Sequence, residues 1–217
     1  MSTDTTKRSR AAQMDPSERR QQLLHAGVQC FADKGIGAAK HADIARKCGV
    51  SVPTVFSYFA TRDELVSSVL AEVGNTLLDK VLEPARALPL DQQLAATAPL
   101  YMRLATNQPE YVKVWLMWST HFASDIQHQF QLFETRAIDM LASMFISEDE
   151  DQDPEDLKDK ARMLFASSAF LAKMSFDGIS ESRQQSFANQ VLKSLAPQHA
   201  QITAELQSLS TEEKGEI

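Results

Sequence analysis

Two helix-length apolar patterns crowd into residues 41–59, with one glycine, Gly49, between them. The first, residues 41–48, turns Ile44, Ala45 and Cys48 to one side at helical spacing. Gly49 ends it, because only glycine takes a positive φ there without steric cost. Ser51 is a good N-cap for a second short helix. Its expected inward residues are Val52, Val55, Phe56 and Phe59, which leaves Pro53, Thr54, Ser57 and Tyr58 facing solvent. Ala45 is small enough to let the two helices cross closely.

Longer helices flank this pair. Asp15-Pro16 supplies an N-cap and a first-turn proline to a helix carrying Leu23, Leu24, Val28 and Phe31, which Gly35-Ile36-Gly37 ends. Thr61-Arg62-Asp63-Glu64 reads as a capping box opening a helix with Leu65, Val66, Val69, Leu70, Val73 and Leu77 on its apolar side. Residues 83–91, with Pro84 and Pro89, are expected to break the chain. Helical periodicity then resumes over 92–106, 109–122, 125–146, 154–176 and 181–195, with a kink or split at Pro99. A last helix is expected after Pro197, through Leu209. No segment reads as a strand, and seven glycines with eight prolines are too few for a turn-rich β fold. The expected fold class is all-α.

Charge separates the two parts of the chain. The whole chain carries −7, yet residues 1–62 hold ten Lys/Arg against five Asp/Glu. A basic end on an acidic body points to a polyanion at one end only. Two short helices around a glycine, in that setting, make a helix-turn-helix that binds double-stranded DNA. Hydroxyls and a phenol donate to phosphate oxygens, and short side chains let a helix enter the major groove. The free N–H groups at Ser51 would add to phosphate binding.

Other classes lack their signatures. Two cysteines, Cys30 and Cys48, cannot build a disulfide scaffold. There is no GxSxG, HExxH or P-loop, so no enzyme, cofactor or metal site is expected. No stretch approaches the ~18 apolar residues of a membrane span. The start MSTDTTKRSR has no apolar signal region, so a cytoplasmic protein without membrane partners is expected. The competing reading is a helical small-molecule-binding or enzymatic protein with a vestigial DNA-binding hairpin, and inward-packed Thr54, Ser57 and Tyr58 would favour it.

The residues 41–45 (HADIA), 49–51 (GVS), 54–59 (TVFSYF) and 62–65 (RDEL) resemble the signature of TetR-family transcriptional regulators. More narrowly, 35–37, 41–45, 50–52, 54–56, 112–119 and 144–146 resemble the quorum-sensing master regulators of the LuxR/HapR type, from which Pro53 departs. The resemblance implies a TetR-like architecture. A flexible basic arm covers 1–16, a DNA-binding domain 17–77 with its helix-turn-helix at about 40–59, a ligand-binding and dimerisation domain 78–209, and a tail 210–217. It implies phosphate contacts at His41, Thr54, Tyr58, Thr61 and Arg62, and base reading at Ser51, Val52, Pro53 and Ser57. Lys7, Arg8 and Arg10 resemble an arm that enters a narrow minor groove.

A single helix-turn-helix reads few base pairs, so useful affinity implies a homodimer on a palindromic operator. The resemblance implies an interface on the last two long helices, with Leu164, Ser167, Ser168, Leu171, Phe187, Val191 and Leu195 as candidates. It also implies a pocket for a small apolar or neutral ligand among Trp115, Trp118, Phe122, Phe130, Phe133, Met144 and Phe165. The plain reading of that aromatic and Met stripe is core packing, and both readings stay open.

Overall fold

The computed structural model describes residues 14–146 and 152–197. Among them ten α-helices and no strand occur. The acidic loop at 148–151, the basic arm with Lys7, Arg8 and Arg10, and the helix expected through Leu209 lie outside the described residues.

Helix α1 (Pro16–Lys34) starts as read: the Asp15 carboxylate accepts from the Ser17 amide at 2.8 Å. α2 (His41–Cys48) ends at Gly49, which takes the left-handed conformation at φ 65°. α3 (Val52–Tyr58) is capped by Ser51, whose Oγ accepts from the Thr54 amide at 3.3 Å. α4 (Arg62–Leu77) has Thr61 as N-cap, and Glu64 reaches back to the Ala60 amide at 2.8 Å, one residue beyond the usual capping-box partner. Leu23, Val28, Phe31, Ile44, Val55, Phe59 and Val69, all fully buried, join these four helices into one core. Gly27 makes the closest approach: a Cβ there would meet Val69 Cγ2 at 2.7 Å.

The expected break at 83–91 is narrower than the prolines imply. α4 continues through one π-turn (Leu78–Leu82) into a short α5 (Glu83–Arg86). Widening the helix just before Pro84 relieves the clash of the ring with the preceding turn, so the proline is absorbed. The body is α6 (Leu90–Asn107), α7 (Pro109–Ser119), α8 (Ser124–Ser143), α9 (Pro154–Phe176) and α10 (Glu181–Leu195). α6 is not split at Pro99. α9 packs between α8 and α10, and α7 lies against both α1 and α4. No helix among the described residues is long and apolar enough to cross a membrane.

Candidate nucleic-acid interface and ligand cavity

α3 hangs on two residues: Val55 and Phe59 are fully buried, while Ser51, Val52, Pro53, Phe56 and Ser57 are exposed and Thr54 and Tyr58 half-buried. Val52 and Phe56 therefore do not face inward as expected. A seven-residue helix crossing α2 can bury only the narrow stripe through Val55 and Phe59, and the Phe56 ring finds another support. It stacks flat on His41, with centroids 4.0 Å apart. The Ser51 and Thr54 hydroxyls bond each other at 2.8 Å, and Ser57 Oγ donates to the Thr54 carbonyl at 2.7 Å. Tyr58 keeps its hydroxyl without a hydrogen-bond partner among the described residues.

Two expected phosphate contacts are internal struts instead. His41 is 6% exposed and its Nε2 donates to the Phe59 carbonyl at 2.9 Å, so the imidazole is spent inside the domain. Arg62 donates through Nη2 to the Ile36 carbonyl and lies over the Phe31 ring, 5.7 Å from its centroid. Burial lowers the pKa of the guanidinium, and its Nη1 is buried without a partner among the described residues. Attraction to an apolar ring and a carbonyl, rather than to solvent, decides where this side chain lies. Thr61 remains exposed as the cap of α4. Asp43 is held below the usual carboxylate range by Lys34 at 2.6 Å and the Lys40 amide, which fixes α2 against the end of α1.

Among the described residues of the body, two adjoining half-open cavities of about 80 and 50 Å³ share Val81, Tyr101, Phe165 and Ser168 as walls. Trp115, Phe133 and Phe165 line the smaller one, as their assignment to a pocket requires. Trp118, Phe130 and Met144 line neither. Trp118 donates to the Ile126 carbonyl at 3.0 Å and stacks on Phe133, so it is core. Phe122 is 85% exposed, because α7 ends at Ser119 and the chain leaves the core before reaching it. Two donors beside the smaller cavity are buried without partners among the described residues: Tyr101 Oη and Trp115 Nε1. Burial pushes the Tyr101 phenol far above its usual pKa, so it stays a donor. Tyr101 was missed in the sequence. Its signal was there, since Leu94, Thr97 and Tyr101 share the buried side of α6 at helical spacing.

Of the residues expected at a dimer interface, Leu164, Ser167, Ser168, Phe187 and Val191 are half-buried, and Leu171 and Leu195 are buried. Leu164, Ser167, Ser168, Leu171, Phe187 and Val191 line the larger cavity between α6, α9 and α10, and Leu195 is buried. The apolar residues that α9 presents outward are Met163 and Phe170, 59% and 54% exposed, with Phe187 packed against Phe170 at 5.3 Å. Residues 163, 166 and 170 follow the helical repeat about a third of a turn away from Leu164 and Leu171, a difference that apolar character alone does not show.

Residues 23–69 match the family model described as "Bacterial regulatory proteins, tetR family". This span is similar to the N-terminal domain of TetR-family regulators. The matched residues run from Leu23 in α1 to Val69 in α4, the span held together by the shared core of α1–α4. A TetR-like fold extends over the body as well. A TetR-like transcriptional regulator from Rhodococcus sp. RHA1 superposes with a TM-score of 0.69 at 21% identity, covering 85% of this chain and 99% of that one. AibR, solved in complex with isovaleryl coenzyme A and operator DNA, gives 0.66 at 15% identity, over 83% of this chain and 99% of that one. The HTH-type transcriptional regulator LuxR of Vibrio harveyi is 35% identical over 117 residues, which are 52% of this chain and 56% of LuxR. The match thus spans little more than half of that relative. Within the matched span α2 and α3 form a helix pair joined through Gly49.

Proposed function

We propose that this chain is a sequence-specific transcriptional regulator that binds a palindromic DNA operator as a homodimer, in the manner of the LuxR/HapR-type master regulators. It works in the cytoplasm and has no catalytic activity. The observation that carries this reading is the outer side of α3, where Thr54, Ser57 and Tyr58 stay at the surface of a domain anchored by Val55 and Phe59. Inward packing of those three would have favoured the vestigial-hairpin alternative. Tyr58, Thr54 and Thr61 serve as phosphate donors, and Ser51, Val52, Pro53 and Ser57 meet base edges. Lys7, Arg8 and Arg10 reach the minor groove.

Dimerisation supplies the second half-site, roughly 34 Å away. We assign the contact to the outward stripe of α9, Met163, Ala166 and Phe170, because apolar groups of that size at one helix side favour a covering partner. A small neutral ligand fits the adjoining cavities. No charged side chain lines them, their walls are mostly apolar, and Tyr101 and Trp115 offer two unspent donors beside the smaller one. Leu77, Leu78, Val81 and Leu82 at the end of α4 line the smaller cavity, and α4 begins beside α3. A ligand therefore shifts the separation of the two reading heads by favouring one position of α4. AibR, whose structure holds an acyl coenzyme A and operator DNA, supports this combination.

The test is a gel-shift titration against genomic fragments at two salt concentrations. Binding is expected to be fragment-selective, salt-sensitive and dimeric, and its absence at both salts overturns the proposal. Tyr58→Phe should weaken all sites about equally, by roughly fivefold, the loss of one hydrogen bond of about 1 kcal/mol. Pro53→Ala or Ser51→Ala should change which sites are preferred.

A further inference from the structure

We propose that α3 selects its operator through the C5-methyl groups of thymines, read by a carbon edge made of Val52, Pro53 and Phe56; this rests on the DNA-binding reading above. The argument begins with what this helix lacks. From Ser51 to Tyr58 there is no Asn, Gln, Lys, Arg, Asp or Glu. The side-chain pairings that read guanine, adenine or cytosine by hydrogen bonding are therefore not available from it. Its short hydroxyls bond within the helix, Ser51 with Thr54 and Ser57 to the Thr54 carbonyl, which leaves them fewer hydrogen bonds to offer a base.

Carbon is what it offers instead. Val52 and Phe56 are 37% and 45% exposed, with Pro53 exposed beside them. Spaced four apart, Val52 and Phe56 share one flank of α3, while Thr54 and Tyr58 share the other. The flanks divide the work: hydroxyls to the phosphates on one side, carbon into the groove on the other. The Phe56 ring is not loose, since its stacking on the buried His41 holds it at a fixed angle. The domain around it is basic, with seven Lys/Arg against four Asp/Glu in residues 14–62, so the surface is built to meet a polyanion. In the major groove of such a partner, the thymine methyl is the apolar group a base pair presents.

The test removes that methyl and nothing else. Full-length protein selects sites from random duplexes, and each thymine of a selected half-site is then replaced in turn by deoxyuridine. At one or more positions binding should weaken about fourfold, which is about 0.8 kcal/mol, the value of one buried carbon. At one of these positions Val52→Ala should erase the difference between thymine and uracil. Val52 is exposed, so its truncation leaves the core of the domain intact. Replacing the same T·A pair by 5-methylcytosine·guanine should bind more tightly than by cytosine·guanine. Selective binding that is unchanged within twofold by deoxyuridine at every position overturns the methyl readout and leaves DNA binding standing. Failure to select any unmodified duplex overturns both.

Discussion

The His41 ring lies 6° from parallel to Phe56, centroids 4.0 Å apart, while its Nε2 donates 2.9 Å to the Phe59 carbonyl. One imidazole thus ties the first residue of α2 to the end of α3 and supports a ring on the exposed side of α3. His41→Ala leaves that carbonyl unpaired and the ring unsupported. It should lower stability by about 1–3 kcal/mol, weaken operator binding, and blunt the preference among operators that the Phe56 ring helps to set. Thermal melts followed by circular dichroism, with one gel-shift series, check these outcomes. An unchanged melt would show that the crossing of α2 and α3 does not depend on this residue.

Gly27 sets how closely α1 and α4 approach. An added Cβ would stand 2.7 Å from Val69 Cγ2, in a core with no exposed route for either helix to yield. Gly27→Ala should destabilise by about 1–3 kcal/mol despite alanine's better helix propensity. Restoring space with Gly27→Ala/Val69→Ala should recover part of that loss in urea unfolding. Additive losses in the double variant would contradict the assigned contact.

Tyr101 carries a buried hydroxyl with no partner among the described residues. Tyr101→Phe keeps the ring against Trp115 and removes the unpaired group, so the unliganded protein should gain about 1 kcal/mol. The same variant should bind an acceptor-bearing ligand more weakly. A loss of stability in the unliganded protein would mean that the hydroxyl already has a partner.

At alkaline pH the tyrosines set the limit. Burial, with Glu72 and Glu110 nearby, pushes the Tyr111 phenol up to about 12, so the folded state holds its proton more tightly than the unfolded chain. That contribution is complete below the ordinary phenol pKa of about 10 and is lost as pH rises from there towards 12. Urea midpoints measured between pH 9 and 12 should fall, and fall less steeply in Tyr111→Phe.

Acid acts through Asp43. Its carboxyl is depressed by the Lys34 hydrogen bond, so its contribution is complete above the ordinary carboxylate pKa of about 3.9 and disappears as pH drops through the lowered value. Asp43→Asn should flatten that part of the acid unfolding curve. An identical slope in the variant would assign the acid sensitivity to other carboxylates.

Much of the reading frame of this protein was legible without coordinates. Asp15-Pro16, Gly49, Ser51 and Thr61 act on their own neighbours, and each capped or stopped a helix where expected. Periodicity fixed α9 and α10 to the residue. Where a prolonged helix met a proline, local rules failed: Pro84 was absorbed by a π-turn and Pro99 by α6.

Helix phase and length, caps and charge separation belong to the chain alone, because they depend on groups a few residues apart. Which way an apolar residue turns once several helices compete for it belongs to the tertiary structure. Burial is shared among neighbours distant in sequence, and each settles against the largest carbon surface within reach. Packing sent His41 and Arg62 inward, left Phe56 and Phe122 outside, and turned Leu164 and Val191 towards a cavity. The same packing brought Tyr101 and Trp115 together with their donors unspent.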